Sequence, residues 1–143
     1  MNPDTRIVYT QEDGTLAIIV PAPNCKDIND LLKAVPDGAP RQAIMQNDIP
    51  EDRYFRDAWE LDQGIKICRK KAEGIHLDKL RAIRDEKLKA EDIEYQKAIE
   101  FRDDAKMNAI ANRKKKLRDM PMDVDFTGLS LEELKNFTPD ILK

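Results

Sequence analysis

β-Branched and aromatic residues concentrate in two short runs near the start of the chain, Arg6-Ile7-Val8-Tyr9-Thr10 and Thr15-Leu16-Ala17-Ile18-Ile19-Val20. Gln11-Glu12-Asp13-Gly14 separates them. Two such runs around an Asp-Gly pair predict a β-hairpin, with both turn residues tolerant of positive φ. Pro21 and Pro23 end the second run, because proline has no N–H to give a strand ladder. A short helix is expected over Asp27–Val35, capped by Asp27 or Asn24. Pro36-Asp37-Gly38-Ala39-Pro40 then reads as a turn. Gln42–Met45 is a third candidate strand, 47–52 a loop, and Ile65–Ile67 a short returning strand after the Asp62-Gln63-Gly64 turn. Tyr54, Phe55 and Trp59 form the densest aromatic patch, expected as head core or as the seam between head and helix.

The pattern changes after Lys66. From there to Met120 there is no proline and one glycine, Gly74. The stretch predicts a long helix from about Cys68 to Arg102, a break at Arg102-Asp103-Asp104, and a second helix over about Ala105–Arg118. Asp103 or Asp104 would cap the second helix and Pro121 would end it. A single bent helix and a helical hairpin share this pattern, so both are open. On a helical wheel Ala72, Ile75, Leu80, Ile83, Ala90, Ile93 and Phe101 make one broad apolar face. Leu77, Leu88, Tyr95 and Ile99 make a second, narrower stripe. Two stripes require two neighbours, so the second is the candidate surface for self-association or a partner. Ser130-Leu131-Glu132-Glu133 is a capping-box sequence opening a last helix over Leu131–Asn136. The expected fold class is α+β: a small hairpin-containing head at 1–67, a long helix or helical hairpin at 68–120, and a C-terminal tail with a short capped helix at 121–143.

Composition changes the picture in one respect. Charged residues make up 37% and hydrophobic residues 41% of the 143, more charge and less core than an enzyme domain usually carries. Five glycines argue against a loop-rich active site, and a net charge of -3 gives no global pull toward nucleic acid. The first residues lack the basic and apolar regions of a signal peptide, and no apolar run approaches the length of a membrane span. Cys25 and Cys68 lie far apart without CxxC spacing and read as two reduced thiols, their redox state left open.

Candidate chemistry is sparse. The run Arg113-Lys114-Lys115-Lys116-Leu117-Arg118 is the sharpest charge cluster. Arg113, Lys114, Lys115, Lys116 and Arg118 are a weak candidate for phosphate contact, set against the plainer reading of a solvated helix end whose cations complement the helix dipole. His76, the one histidine, has Glu73 before it and Lys79 and Leu80 at the next turn, a poor ligand set; it is expected at a helix surface or boundary. Ser130, the one serine, reads as a cap, which leaves no nucleophilic triad. The carboxylates alternate with Lys and Arg as on a solvated face, and no phosphate-loop, dinucleotide or HExxH motif occurs. The expectation is no catalytic residue, no cofactor, no metal, and no enzyme.

Two stretches carry a resemblance. One is IVYTQEDGTLAIIVPAP followed by NDIPEDRYFRDAWELDQG. The other is HLDKLRAIRDEKLKAEDIEYQKA followed by KKKLRDMPMDVDFTGLSLEELKNFTPD. Together they resemble small tailed-bacteriophage and prophage proteins of the tail or tail-fibre region. Phe55-Arg56-Asp57-Ala58-Trp59 and Leu117-Arg118-Asp119-Met120-Pro121 carry the likeness best. The helix followed by the second of these is similar to the C-terminal module of phage tail assembly chaperones, with Tyr95 near the place of that module's tryptophan. The resemblance implies protein–protein contacts in tail or tail-fibre assembly, in the host cytoplasm or in the virion. The partner would be a phage tail or tail-fibre protein, or a second copy. From the apolar runs no membrane partner is expected, and the net charge argues against a nucleic-acid partner. Leu77, Leu88, Tyr95 and Ile99 are then the expected contact stripe, with Phe55 and Trp59 as candidate anchors if exposed. A minor structural virion component, such as an oligomeric collar or fibre-attachment protein, is the rival within this class. A nucleic-acid-binding phage regulator is the rival outside it.

Overall fold

The computed structural model describes all 143 residues, which form two compact units, Met1–Ala72 and Glu73–Lys143. In the first, β1 (Thr5–Thr10) pairs antiparallel with β2 (Leu16–Ile19) on one side and with β3 (Arg41–Met45) on the other. The connection between β1 and β2 has three residues beyond the Gln11–Thr15 closing pair, whose Gln11 N–H donates to Thr15 O at 2.8 Å. Gly14 alone takes positive φ, at 86°. Asp13 keeps negative φ, and its carboxylate accepts from the N–H and hydroxyl of Thr15, at 2.9 and 2.6 Å. Those bonds hold the Asp13 carboxyl below its ordinary range.

Alternation along β1 builds two small cores, since successive side chains leave opposite faces of a strand. Ile7 turns toward α1 (Ile28–Leu32) and packs with Leu31 and Val35. Val8 turns the other way and packs with Leu16, Ile44 and Trp59. Asp27, not Asn24, caps α1, accepting from Asn29 N–H at 2.9 Å. Trp59 opens β4 (Trp59–Leu61), which pairs with β5 (Ile65–Ile67) in a separate ribbon. The turn between them places Gln63 and Gly64 at φ 49° and 102°. Trp59 is fully buried, and Ile18, Ile49, Leu61, Ile65 and Ile67 close around its cluster. Trp59 and Phe55 are therefore head core; burial removes both as partner anchors.

α2 (Arg69–Glu100) and α3 (Asp104–Asp123) form a helical hairpin, which resolves the alternative that the residue pattern left open. α2 stops in a tight corner. Asp103 N–H donates to Ala98 O at 2.9 Å and Arg102 N–H to Ile99 O at 3.0 Å, the paired bonds of a Schellman ending. Arg102 occupies the left-handed position, φ 54°, that glycine more often fills. Asp103 then serves α3 at once, capping it through Lys106 N–H at 3.1 Å. The helix does not stop at Pro121 as expected but runs to Asp123. A proline in the last turn removes only one helical hydrogen bond, and Val124 N–H still closes on Met120 O at 3.1 Å.

The tail completes the second unit. The Ser130 capping box opens α4 (Leu131–Asn136), with reciprocal 3.1 Å bonds between Ser130 and Glu133. Phe126, Leu134 and Leu142 are buried. His76 is 3% exposed, buried where a helix surface or boundary position was expected. Its Nε2–H donates to the Phe137 carbonyl at 2.8 Å and its ring meets Phe126 edge-on. Both partners lie in the tail, so the local helix pattern around His76 carried no sign of them.

Candidate interaction surface on the helical hairpin

The buried side of α3 repeats at three- and four-residue steps: Ile110 and Leu117 are buried, with Met107 and Lys114 half-buried on the same stripe. A stripe of this spacing suits a single helical neighbour. Across the hairpin, α2 answers with few apolar residues. Leu80 and Ala98 are buried. Between them the inward positions are half-buried Arg84, Lys87, Leu88, Glu91, Glu94 and Tyr95.

Charge joins the two helices along this seam. The Arg113 guanidinium grips Glu91 through both carboxylate oxygens, at 3.0 and 3.1 Å. Lys114 pairs with Asp92 at 2.5 Å, and its ammonium lies 5.3 Å from the centre of the Tyr95 ring, a cation–π contact. Lys106 reaches Glu94 at 3.6 Å, and Glu94 also holds Lys97. Hydrogen bonding to Lys97 is the leading reason that the Glu94 carboxyl sits below its ordinary range, with Lys106 adding to it. Hydrogen bonding to Glu91 raises the Arg113 guanidinium further above its usual value.

These contacts sort the residues singled out from the chain. Leu77, Leu88 and Tyr95 are half-buried, Tyr95 beneath Lys114; Ile99 remains 44% exposed. The basic run divides. Arg113 and Lys114 belong to the seam and Leu117 is buried, while Lys115, Lys116 and Arg118 differ in direction because successive helix residues turn by about 100°. No group of three or more His, Cys, Asp or Glu is placed to hold a metal ion. Cys25 and Cys68 are free thiols. No helix is long and apolar enough to cross a membrane.

The apolar residues exposed on α2 are mostly those of the broader face. Ile83 is 43%, Ile93 59% and Phe101 81% exposed. Ile83 and Phe101 stand about five turns apart on one azimuth, roughly 27 Å along the axis, with Ala90 close to the same line. The charges around them are mostly neutralised within α2, where Lys89 pairs with Glu86 at 3.2 Å and Lys97 with Glu94 at 3.3 Å. Ile93 lies about 80° round the helix from that line, so the three exposed residues spread over one broad side of little net sign, ending at Phe101 just past the last residue of α2. Comparison with family models, with curated proteins and with solved structures finds no match to this chain.

Proposed function

We propose that this protein works by protein–protein contact in the tail region of a tailed bacteriophage. On this reading it assists tail or tail-fibre assembly by presenting the outer face of α2 to a partner. The observation that carries the reading is the inversion on α2: charged residues fill the seam, while Ile83, Ile93 and Phe101 stay in solvent. Exposed apolar side chains grouped on one side of a helix have a free-energy reason to be covered. The near-neutral charge along it favours an amphipathic partner helix over a polyanion. The tail-region assignment rests on the resemblance of the Phe55–Trp59 and Leu117–Pro121 stretches.

The test is pairwise binding of the purified protein to the tail and tail-fibre proteins encoded beside it, compared with an Ile93→Asp/Phe101→Asp variant. Burying one large apolar side chain is worth about 1.5–3 kcal/mol. Losing two therefore weakens a complex by about 100-fold or more, each 1.4 kcal/mol being about tenfold. Binding that survives the double substitution, or no binding to any of these proteins, overturns the proposal. Light scattering separates the second reading: a dimer or trimer dissolved by the same variant assigns the face to self-association, as in an oligomeric virion component.

A further inference from the structure

The head carries a cleft of about 680 Å³ that the hairpin reading does not use. Arg6, Arg53 and Arg56 line it, with Glu51 as the one carboxylate among the lining residues. Its remaining walls are apolar, from Ile18, Val20, Ile49 and Pro50, with the amides of Gln46 and Asn47 at the rim. None of the three arginines has a carboxylate partner. Arg6 is held by neutral acceptors: the carbonyls of Pro3 and Thr5, at 2.9 and 3.0 Å, and Gln46 Oε1 at 2.6 Å. Arg56 stacks over Trp59, its guanidinium carbon 5.9 Å from the ring centre. Arg53 makes no ion pair. Elsewhere in the head Lys33 and Lys71 do find carboxylates, Asp30 and Glu60.

Neutral anchoring has a consequence. It orients Arg6 and Arg56 without cancelling their charge, so less side-chain freedom is lost when an anion arrives. Three guanidiniums against one carboxylate leave a surplus of two positive charges, suited to a dianion. A phosphate monoester or inorganic phosphate carries about -1.5 to -2 near neutral pH, and its oxygens match the guanidinium fork. A carboxylate carries half that charge. The phosphodiester backbone of nucleic acid has one charge per phosphate and needs an extended track, not a single cleft. The apolar walls leave room for the organic part of an ester.

We infer that this cleft is a phosphate site, built by Arg6, Arg53 and Arg56, that takes a small phosphomonoester or inorganic phosphate. The experiment is a titration of the intact protein followed by amide and arginine Nε–H NMR signals at constant ionic strength. Inorganic phosphate, a nucleoside 5′-monophosphate and acetate are the separate probes. The expected result is saturable, localised shifts at Arg53, Arg56 and residues 46–51 with both phosphates, and at least tenfold weaker response to acetate. Tighter binding of the nucleoside monophosphate identifies an ester as the natural occupant; equal binding identifies the free anion. Arg53→Gln/Arg56→Gln should reduce phosphate affinity at least tenfold with the methyl NMR signals of the head-core residues Val8 and Leu16 unchanged. Arg56→Lys keeps charge over the Trp59 ring and checks that any loss is not a folding defect. Linear, unsaturated shifts, an equal response to acetate, or full binding by the double variant would overturn the site.

Discussion

Trp59 offers the sharpest test of how the head is held together. Its side chain is fully buried among Val8, Leu16 and Ile44, yet its indole Nε1–H has no hydrogen-bond partner. Two effects therefore oppose each other at one residue. Trp59→Ala removes the whole ring and leaves a cavity, at a cost of about 3–5 kcal/mol, a large part of the 5–15 kcal/mol typical of a domain. Trp59→Phe removes only about three ring atoms. Two of these are carbons, and at roughly 0.8 kcal/mol for each methylene-sized group their loss is on the order of 1.6 kcal/mol. It also removes a buried unpaired donor, whose presence costs about 1–3 kcal/mol. The terms nearly cancel, and Trp59→Phe should fall within about 1.5 kcal/mol of wild type. Urea unfolding should be followed by the methyl NMR signals of Val8 and Leu16, because α2 and α3 dominate the far-UV circular dichroism. If Trp59→Phe proves as costly as Trp59→Ala, the unpaired-donor argument fails. A Trp59→Ala cost under about 1 kcal/mol would refute Trp59 as the centre of the head core.

Three further outcomes follow from local geometry. Gly74 lies within α2, and an added Cβ meets nothing within 4 Å; Gly74→Ala should stabilise the protein by about 0.5–1 kcal/mol in denaturant titration, and a loss would show that α2 is not regular there. Ser130→Ala should cost about 1 kcal/mol by removing the capping box of α4, with Ser130→Asp restoring most of it. Asp13, Glu60, Glu94 and Asp125 all have carboxyls held below their ordinary range, by Thr15, Lys71, Lys97 and Thr127 first in each case. A lowered folded-state pKa means that their contribution is present above the ordinary carboxylate range and is lost as pH falls from that range through the lowered folded-state values; a melting temperature that rises on acidification would contradict this.

Much of the architecture was legible because local chemistry dictates it. The β1–β2 hairpin follows from two β-rich runs around Gly14, and Ser130 with Glu133 announces α4. The break at Arg102–Asp104 was readable from two aspartates able to cap, although only Asp103 does so. What escaped depends on contacts distant in sequence. His76 read as a helix surface or boundary residue because the tail residues that cover it, Phe126 and Phe137, lie 50 and 61 positions away. The α2 seam was hidden for a different reason. A hydrophobicity wheel assigns the apolar side to the core, and so it gave Ile83, Ile93 and Phe101 the inward face. The inward positions instead carry Arg84 and Glu91, with Asp92 beside them, because α3 supplies Arg113 and Lys114 in matching register. Periodicity on one helix cannot anticipate the charges of the other. The arginine cleft was missed altogether, since Arg6, Arg53 and Arg56 come together only when the start of β1 meets the segment after β3.

The central claim is that the outer face of α2 is the working surface. Isoleucine δ1-methyl NMR tests it most directly, since Ile83, Ile93 and Ile99 are exposed and Ile110 is buried in the same unit. On addition of the tail or tail-fibre protein that binds, the account predicts shifts or broadening at Ile83 and Ile93, with Ile110 and the head methyls of Ile7 and Ile44 unmoved. Unmoved Ile83 and Ile93 signals in a saturated complex, with changes confined to the head, would contradict it.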